Sequence, residues 1–196
     1  AQAVARSLKQ QFPAGGSVYI IGETGLIHEL KINGFFPTNE DNPGDAIAVV
    51  VGIDRNINFR KMAEATLLVQ RGIPFFATNP DKTFPTPRGE IPGAGAWISV
   101  ITTATNIEPR YAGKPEPLLL EMARERLGTQ RSETLVVGDR VATDIAGGQA
   151  AGMPVALVLS GVSRVDEGKN WSPKIDYIAA DLRDLLTSLS QVIGLR

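Results

Sequence analysis

The sequence predicts an α/β protein built on parallel sheets. Three observations carry that expectation. Short β-type runs alternate with helical patterns along the whole 196 residues, and a βαβα order implies parallel strands joined by right-handed crossovers. Residues 46–53 are almost wholly apolar, as a strand buried on both faces of a parallel sheet must be. No heptad run, low-complexity tract or short repeat breaks the pattern.

In chain order, residues 17–21 read as the first strand and 26–34 as a short helix, with 46–53 the next strand. Residues 59–71 are helical, with Met62, Ala63, Ala65, Thr66 and Val69 on one side and Gly72 where a C-cap belongs. Residues 73–77 form another strand, and 92–107 a helix with a Gly-Ala-Gly-Ala start. Between them, 79–95 is Pro- and Gly-rich and reads as the longest irregular stretch; loops of that length are commonly functional or disordered. A domain boundary is expected at 106–112. After it, Pro115 is placed in the first turn of a helix, where its missing N–H costs nothing. Residues 134–138, 154–159 and 176–179 read as three more strands, with helices between and after them.

Composition narrows the chemistry. The formal net charge is −1, with 43% apolar and 21% charged residues, so no global field draws the chain to nucleic acid or to an acidic membrane. The longest apolar runs are too short to span a bilayer. Residues 1–6 show no apolar signal segment, and a cytoplasmic location is expected. With no cysteine and only one histidine, His28, chemistry in this chain rests on carboxylates, lysine, hydroxyls and backbone amides. His28, beside Glu29, reads as a surface residue. Trp97 and Trp171 read as packing anchors, since no basic stripe accompanies them.

The strongest signal is Leu135-Val136-Val137-Gly138-Asp139-Arg140-Val141-Ala142-Thr143-Asp144. A buried strand delivers Asp139 to its carboxyl end, where open α/β sheets bind ligands. Five residues on, Asp144 sits near the start of the next helix, with Thr143 a candidate N-cap. Two carboxylates converging at a strand end suit Mg²⁺, which takes a few carboxylates and keeps waters beside a phosphate oxygen. A second signal is Tyr111-Ala112-Gly113-Lys114-Pro115, where a lysine at a helix start favours an anion as a point charge.

Together these residues resemble motifs III and IV of the haloacid dehalogenase (HAD) superfamily. The resemblance implies that Lys114 steadies a nucleophile and the transferring phosphoryl group, and that Asp139 and Asp144 hold Mg²⁺. Val51-Gly52-Ile53-Asp54, Ala77-Thr78-Asn79-Pro80-Asp81, Pro92-Gly93-Ala94-Gly95 and Leu157-Val158-Leu159-Ser160-Gly161-Val162 are similar to successive signatures of the subfamily with nitrophenyl-phosphatase and NagD-like proteins. So is Tyr19-Ile20-Ile21-Gly22-Glu23, followed by Glu29-Leu30, which resembles the start of the cap. The resemblance implies an α/β cap domain over residues 1–108 and the C-terminal part of a Rossmann-like core over 109–196. It implies a magnesium-dependent phosphatase acting on a small phosphorylated metabolite, with homodimerisation through the cap and no nucleic-acid or membrane partner. The loop at 78–88 is expected to face substrate through Asn79, Asp81 and Lys82, with Arg88 nearby.

The family nucleophile lies in an Asp-x-Asp motif, which occurs nowhere in these residues. The expectation is therefore a core without its first strand, inactive alone, with an unpaired sheet edge that lowers stability or promotes association. Two alternatives follow. In one, Asp54 is the nucleophile of a capless phosphatase with Thr78 as phosphate ligand, although Asn56 stands where an acid–base aspartate belongs. In the other, the chain is a non-catalytic binding or dimerisation module. A plain nucleotide-binding Rossmann domain lacks support, because no Gly-x-Gly-x-x-Gly follows a first strand.

Overall fold

A computed structural model describes residues 1–38 and 43–193. It has the α/β architecture that the alternating pattern predicts, in two compact units, Ala1–Gly113 and Lys114–Arg196.

The first unit runs α1 (Gln2–Gln11), β1 (Gly16–Ile21), α2 (Thr24–Ile32), β2 (Phe35–Pro37), β3 (Ala48–Val51), α3 (Phe59–Gln70), β4 (Phe75–Ala77), β5 (Thr83–Thr86), β6 (Gly89–Pro92), α4 (Ala94–Thr105) and β7 (Arg110–Tyr111). Five strands form one sheet in the order β2-β1-β3-β4-β7, and every neighbouring pair is parallel. All four residues of β3 are buried, because helices cover both faces of the sheet's centre. On α3, Met62, Ala65, Leu68 and Val69 turn inward at helical spacing. These residues, with Val49, Val51, Ile98 and Ile101, belong to one continuous apolar core. Asn58 starts α3 by accepting the Lys61 N–H on its side chain at 3.0 Å. At its end, Gly72 takes a positive φ of 83°, so the glycine C-cap expected from the sequence is present.

The second unit runs α5 (Leu118–Leu127), β8 (Val136–Gly138), a π-helical turn (Val141–Ile145), α6 (Ala146–Ala150), β9 (Val155–Val158), α7 (Val165–Asn170), β10 (Tyr177–Ala179) and α8 (Leu182–Ile193). Its sheet has the order β10-β9-β8, all parallel, so β8 is an edge strand among the described residues. Val155, Leu157, Ile145 and Ile175 are buried together beneath it.

Four local expectations are corrected. Residues 79–95 are not irregular: β5 and β6 pair antiparallel as a tight hairpin. Pro85 and Pro92 masked it, and both are tolerated because a two-stranded ribbon consists only of edges. Strands β2 and β7 went unread because three and two residues are too short for alternation to show. Pro115 does not open a helix. In Lys114-Pro115-Glu116-Pro117 each proline biases the residue before it away from helical geometry, so α5 begins only after Pro117, which takes the N-cap position with φ −71°. Thr143 is not an N-cap either. Arg140 holds that position and Thr143 lies inside the π-helical turn.

Candidate phosphoryl-transfer site

The site grows from the end of β8. The strand stops at Gly138, and the chain turns at once into the π-helical segment. The Arg140 carbonyl accepts from Asp144 N–H at 2.9 Å and from Ile145 N–H at 3.4 Å. This wider turn, a geometry found often at functional sites, swings Asp144 back over the strand end. There Asp144 is buried, at 8% exposure. Its Oδ1 accepts from Lys114 Nζ at 2.5 Å, and its Oδ2 accepts from the Arg140 N–H at 3.1 Å. A Cβ on residue 138 would lie 2.2 Å from the Asp144 Cβ and 2.6 Å from its Oδ2, so only glycine fits beneath this carboxylate.

Asp139 is fixed from the other side by the loop after β9. Val162 N–H donates to Asp139 Oδ2 at 2.9 Å, and Ser163 N–H donates to the Asp139 carbonyl at 2.9 Å. Gly161 passes so close that a Cβ there would meet Asp139 Oδ2 at 2.0 Å. Thus both aspartates singled out in the sequence stand against glycines, and Lys114 is joined to one of them. Gly161, Val162 and Ser163 escaped assignment as site residues, since their signal is a contact across more than twenty positions that spacing does not reveal.

Asp139 and Asp144 fit a hard divalent cation as far as they go. Both are oxygen donors on a rigid strand–turn, and the amide on Asp139 Oδ2 leaves its Oδ1 for a cation. No group of three His, Cys, Asp or Glu side chains converges among the described residues; the candidate donors here are the two carboxylates of Asp139 and Asp144. Mg²⁺, which retains waters, tolerates such a set better than Ca²⁺.

In the first unit, Asn79 and Asp81 are neighbours. Thr78 Oγ1 donates to Asn79 Oδ1 at 2.7 Å, and Asn79 Nδ2 donates to Asp81 Oδ2 at 2.7 Å. The N-terminal glycines of α4 pack on their backbone: a Cβ at Gly95 would meet the Pro80 carbonyl at 2.3 Å, and one at Gly93 the Asp81 carbonyl at 2.5 Å. Lys82 is exposed; its carbonyl accepts from Gly93 N–H at 2.8 Å. The loop is therefore a stiff ledge after β4 that leads into the hairpin.

Asp54 is buried, at 2% exposure, with Oδ2 bound to Lys61 Nζ at 2.8 Å and Oδ1 accepting from Asn56 N–H at 2.8 Å. It thus closes a turn after β3. Beside it, Glu23 chelates Arg55 at 2.7 and 2.8 Å, and the guanidinium holds the Glu23 carboxyl down to about 2. A capless phosphatase would need β3 and β8 in one sheet, whereas they belong to different sheets in different units.

A HAD-hydrolase-like family model matches residues 111–185, the segment that holds Lys114, Asp139 and Asp144. The acid sugar phosphatase of Staphylococcus aureus is 37% identical over 97% of this chain and 72% of its own length. The 5′-nucleotidase YutF of Bacillus subtilis is 44% identical over 83% of this chain, which spans 61% of that protein. The structure of the glycerol phosphate phosphatase Rv1692 from Mycobacterium tuberculosis in complex with magnesium superimposes with a TM-score of 0.87 at 38% identity. That match covers 94% of this chain and 56% of the other. The chain belongs to the haloacid dehalogenase superfamily, in its NagD-like, nitrophenyl-phosphatase branch.

Proposed function

We propose that this chain is part of a cytoplasmic, magnesium-dependent phosphomonoester hydrolase working through an aspartyl-phosphate. Residues 1–108 would form its cap and 109–196 the C-terminal part of its core. The observation that carries the reading is the Lys114–Asp144 contact of 2.5 Å, set beside an Asp139 held at the end of β8. Asp139 and Asp144 would hold Mg²⁺, which when bound offsets negative charge on the phosphoryl oxygens. Asp144 keeps the Lys114 ammonium extended toward the strand end, where it meets the equatorial oxygens of the transferring group as a point charge. Asp139 is oriented because an amide binds its Oδ2. No residue of this chain is assigned as nucleophile.

The ledge of Asn79 and Asp81, with Lys82 beside it, would read the leaving group: an amide, a carboxylate and an ammonium suit hydroxyl-bearing esters. The relatives' names, a nucleotidase and phosphatases of acid sugar and glycerol phosphates, define the panel to try. Dimerisation through the first unit is part of the reading, supported by exposed Ile32 and Phe36 near the β2 edge.

The test is Mg²⁺-dependent release of phosphate from that panel by the full-length protein, beside its Lys114→Ala variant. Lys114 is 39% exposed but its partner Asp144 is buried, so the melting temperature of the variant is measured beside its kcat. We expect kcat to fall by roughly 10²–10³, the usual effect of losing one preorganised charge-stabilising donor. Wild-type turnover in Lys114→Ala, or no Mg²⁺-dependent hydrolysis by the full-length protein, sinks the proposal. Turnover by the 196-residue chain alone would overturn the absence of a nucleophile here.

A further inference from the structure

The loop after β9 does more than close the fold around the site. Ser163 is buried, at 5% exposure. The other buried polar side chains among the described residues, Asp54 and Asp144, are carboxylates with lysine partners. Ser163 has no charge to satisfy. Its hydroxyl accepts from Val141 N–H at 3.1 Å, while its own N–H donates to the Asp139 carbonyl at 2.9 Å. The preceding amide, Val162 N–H, binds Asp139 Oδ2 at 2.9 Å.

We infer that Ser163 is a positioning residue that sets the orientation of the Asp139 carboxylate toward the cation; the inference rests on the Mg²⁺-dependent reading above. Three bonds from two adjacent residues grip Asp139 at its carboxylate, its carbonyl and the amide two positions on. Val141 is the first residue of the π-helical turn, so its N–H has no partner within the turn. The hydroxyl is what satisfies it. Without that acceptor the start of the turn must shift to find another. The shift carries the Asp139 backbone away from the Val162 and Ser163 amides, and the carboxylate loses its fixed direction. Groups that orient a metal ligand in this way typically change metal affinity by about 10–100-fold when removed. A hydroxyl that merely filled space would leave affinity untouched.

The experiment titrates Mn²⁺ into the full-length protein, reading free Mn²⁺ by electron paramagnetic resonance, for wild type, Ser163→Ala, Ser163→Cys and Ser163→Thr. Melting temperature is recorded in EDTA and in Mg²⁺. The expected result is a Kd raised about 10-fold or more in Ser163→Ala, a smaller rise in Ser163→Cys, whose sulfur is a weak acceptor, and a near-wild-type value in Ser163→Thr. The gain in melting temperature from Mg²⁺ should shrink in the same order. Wild-type Kd in Ser163→Ala, with only a uniform drop in melting temperature, would make the role structural and overturn the inference. Should Ser163→Ala fail to fold, Ser163→Cys decides by the same Kd comparison. Failure of the wild type to bind Mn²⁺ at all would instead remove the metal reading itself, a result distinct from equal binding by wild type and variant.

Discussion

At the scale of single residues, two glycines shape the site as firmly as the charges do. Gly138 lies beneath Asp144, where a Cβ would sit 2.3 Å from the carboxylate carbon. Backbone on a strand cannot yield as the tip of a long side chain can, so Gly138→Ala must push the π-helical turn outward. We expect a loss of roughly 1–3 kcal/mol in stability, as for other overpacked sites, and a Lys114–Asp144 contact too long to hold the ammonium in place. Chemical denaturation and kcat measured together check this, and an Ala variant with unchanged values would show that the turn adapts. Asp139, Asp144 and Lys114 could be singled out because each belongs to a motif whose order along the chain carries information, and the structure joins Lys114 to Asp144. Gly138 entered the sequence reading only as one residue of the motif that ends in Asp144. Ser163 was not legible as a site residue, since a serine beside Gly161-Val162 carries no sign that it reaches back to the Val141 amide.

At the scale of elements, long patterned segments were read well and short ones poorly. Helix α3 showed its start, its glycine stop and most of its inward face because twelve residues give three turns of periodicity: Met62, Ala65 and Val69 are buried as read, whereas Ala63 and Thr66 are only half-buried and Leu68, unread, is buried. Strand β3 showed itself by being apolar throughout. The hairpin hid behind two prolines, and the π-helical turn had no signature, because four residues between aspartates suit an ordinary helix start equally well. The loops after β1 and β3 are tied by a further contact that spacing could not show, the Glu23–Arg55 pair. Since Arg55 holds the Glu23 carboxyl down to about 2 from its usual 4.5, the folded state binds that proton less readily than the unfolded chain. The pair's contribution is therefore full above pH 4.5 and is lost as pH falls from there toward 2. Glu23→Gln should flatten the stability profile in that window and leave it unchanged in shape near neutrality. The pair is solvent-accessible, so 1 M salt should mimic much of the substitution. Denaturation midpoints from pH 2 to 7 at low and high salt test it, and an unchanged acid limb in the variant would assign the acid sensitivity elsewhere.

At the scale of the whole molecule, the two units differ in how completely their sheets are enclosed. In the first, a five-stranded sheet keeps its central strands β1, β3 and β4 away from any edge; Ile21, Val49, Val51, Ala65 and Ile101 are buried on one face, and Val18, Val50 and Phe76 on the other. In the second, three strands carry two smaller apolar clusters, and β8 is at an edge among the described residues although Val136 and Val137, with Leu135 before them, suit an interior strand. Val137 is 40% exposed there. A flat apolar edge strand is a template for pairing with another strand. Separated at the unit boundary, residues 1–113 should therefore unfold cooperatively as a soluble species, while residues 114–196 should associate at micromolar concentration. Val137→Lys, which places a charge on that edge without touching Asp139 or Asp144, should restore solubility to the second fragment. Sedimentation velocity on both fragments and on the variant decides the matter: a monodisperse 114–196 monomer would mean that β8 is not an edge in solution. Association that Val137→Lys abolishes would place the contact on β8, the strand that carries Asp139 at its end.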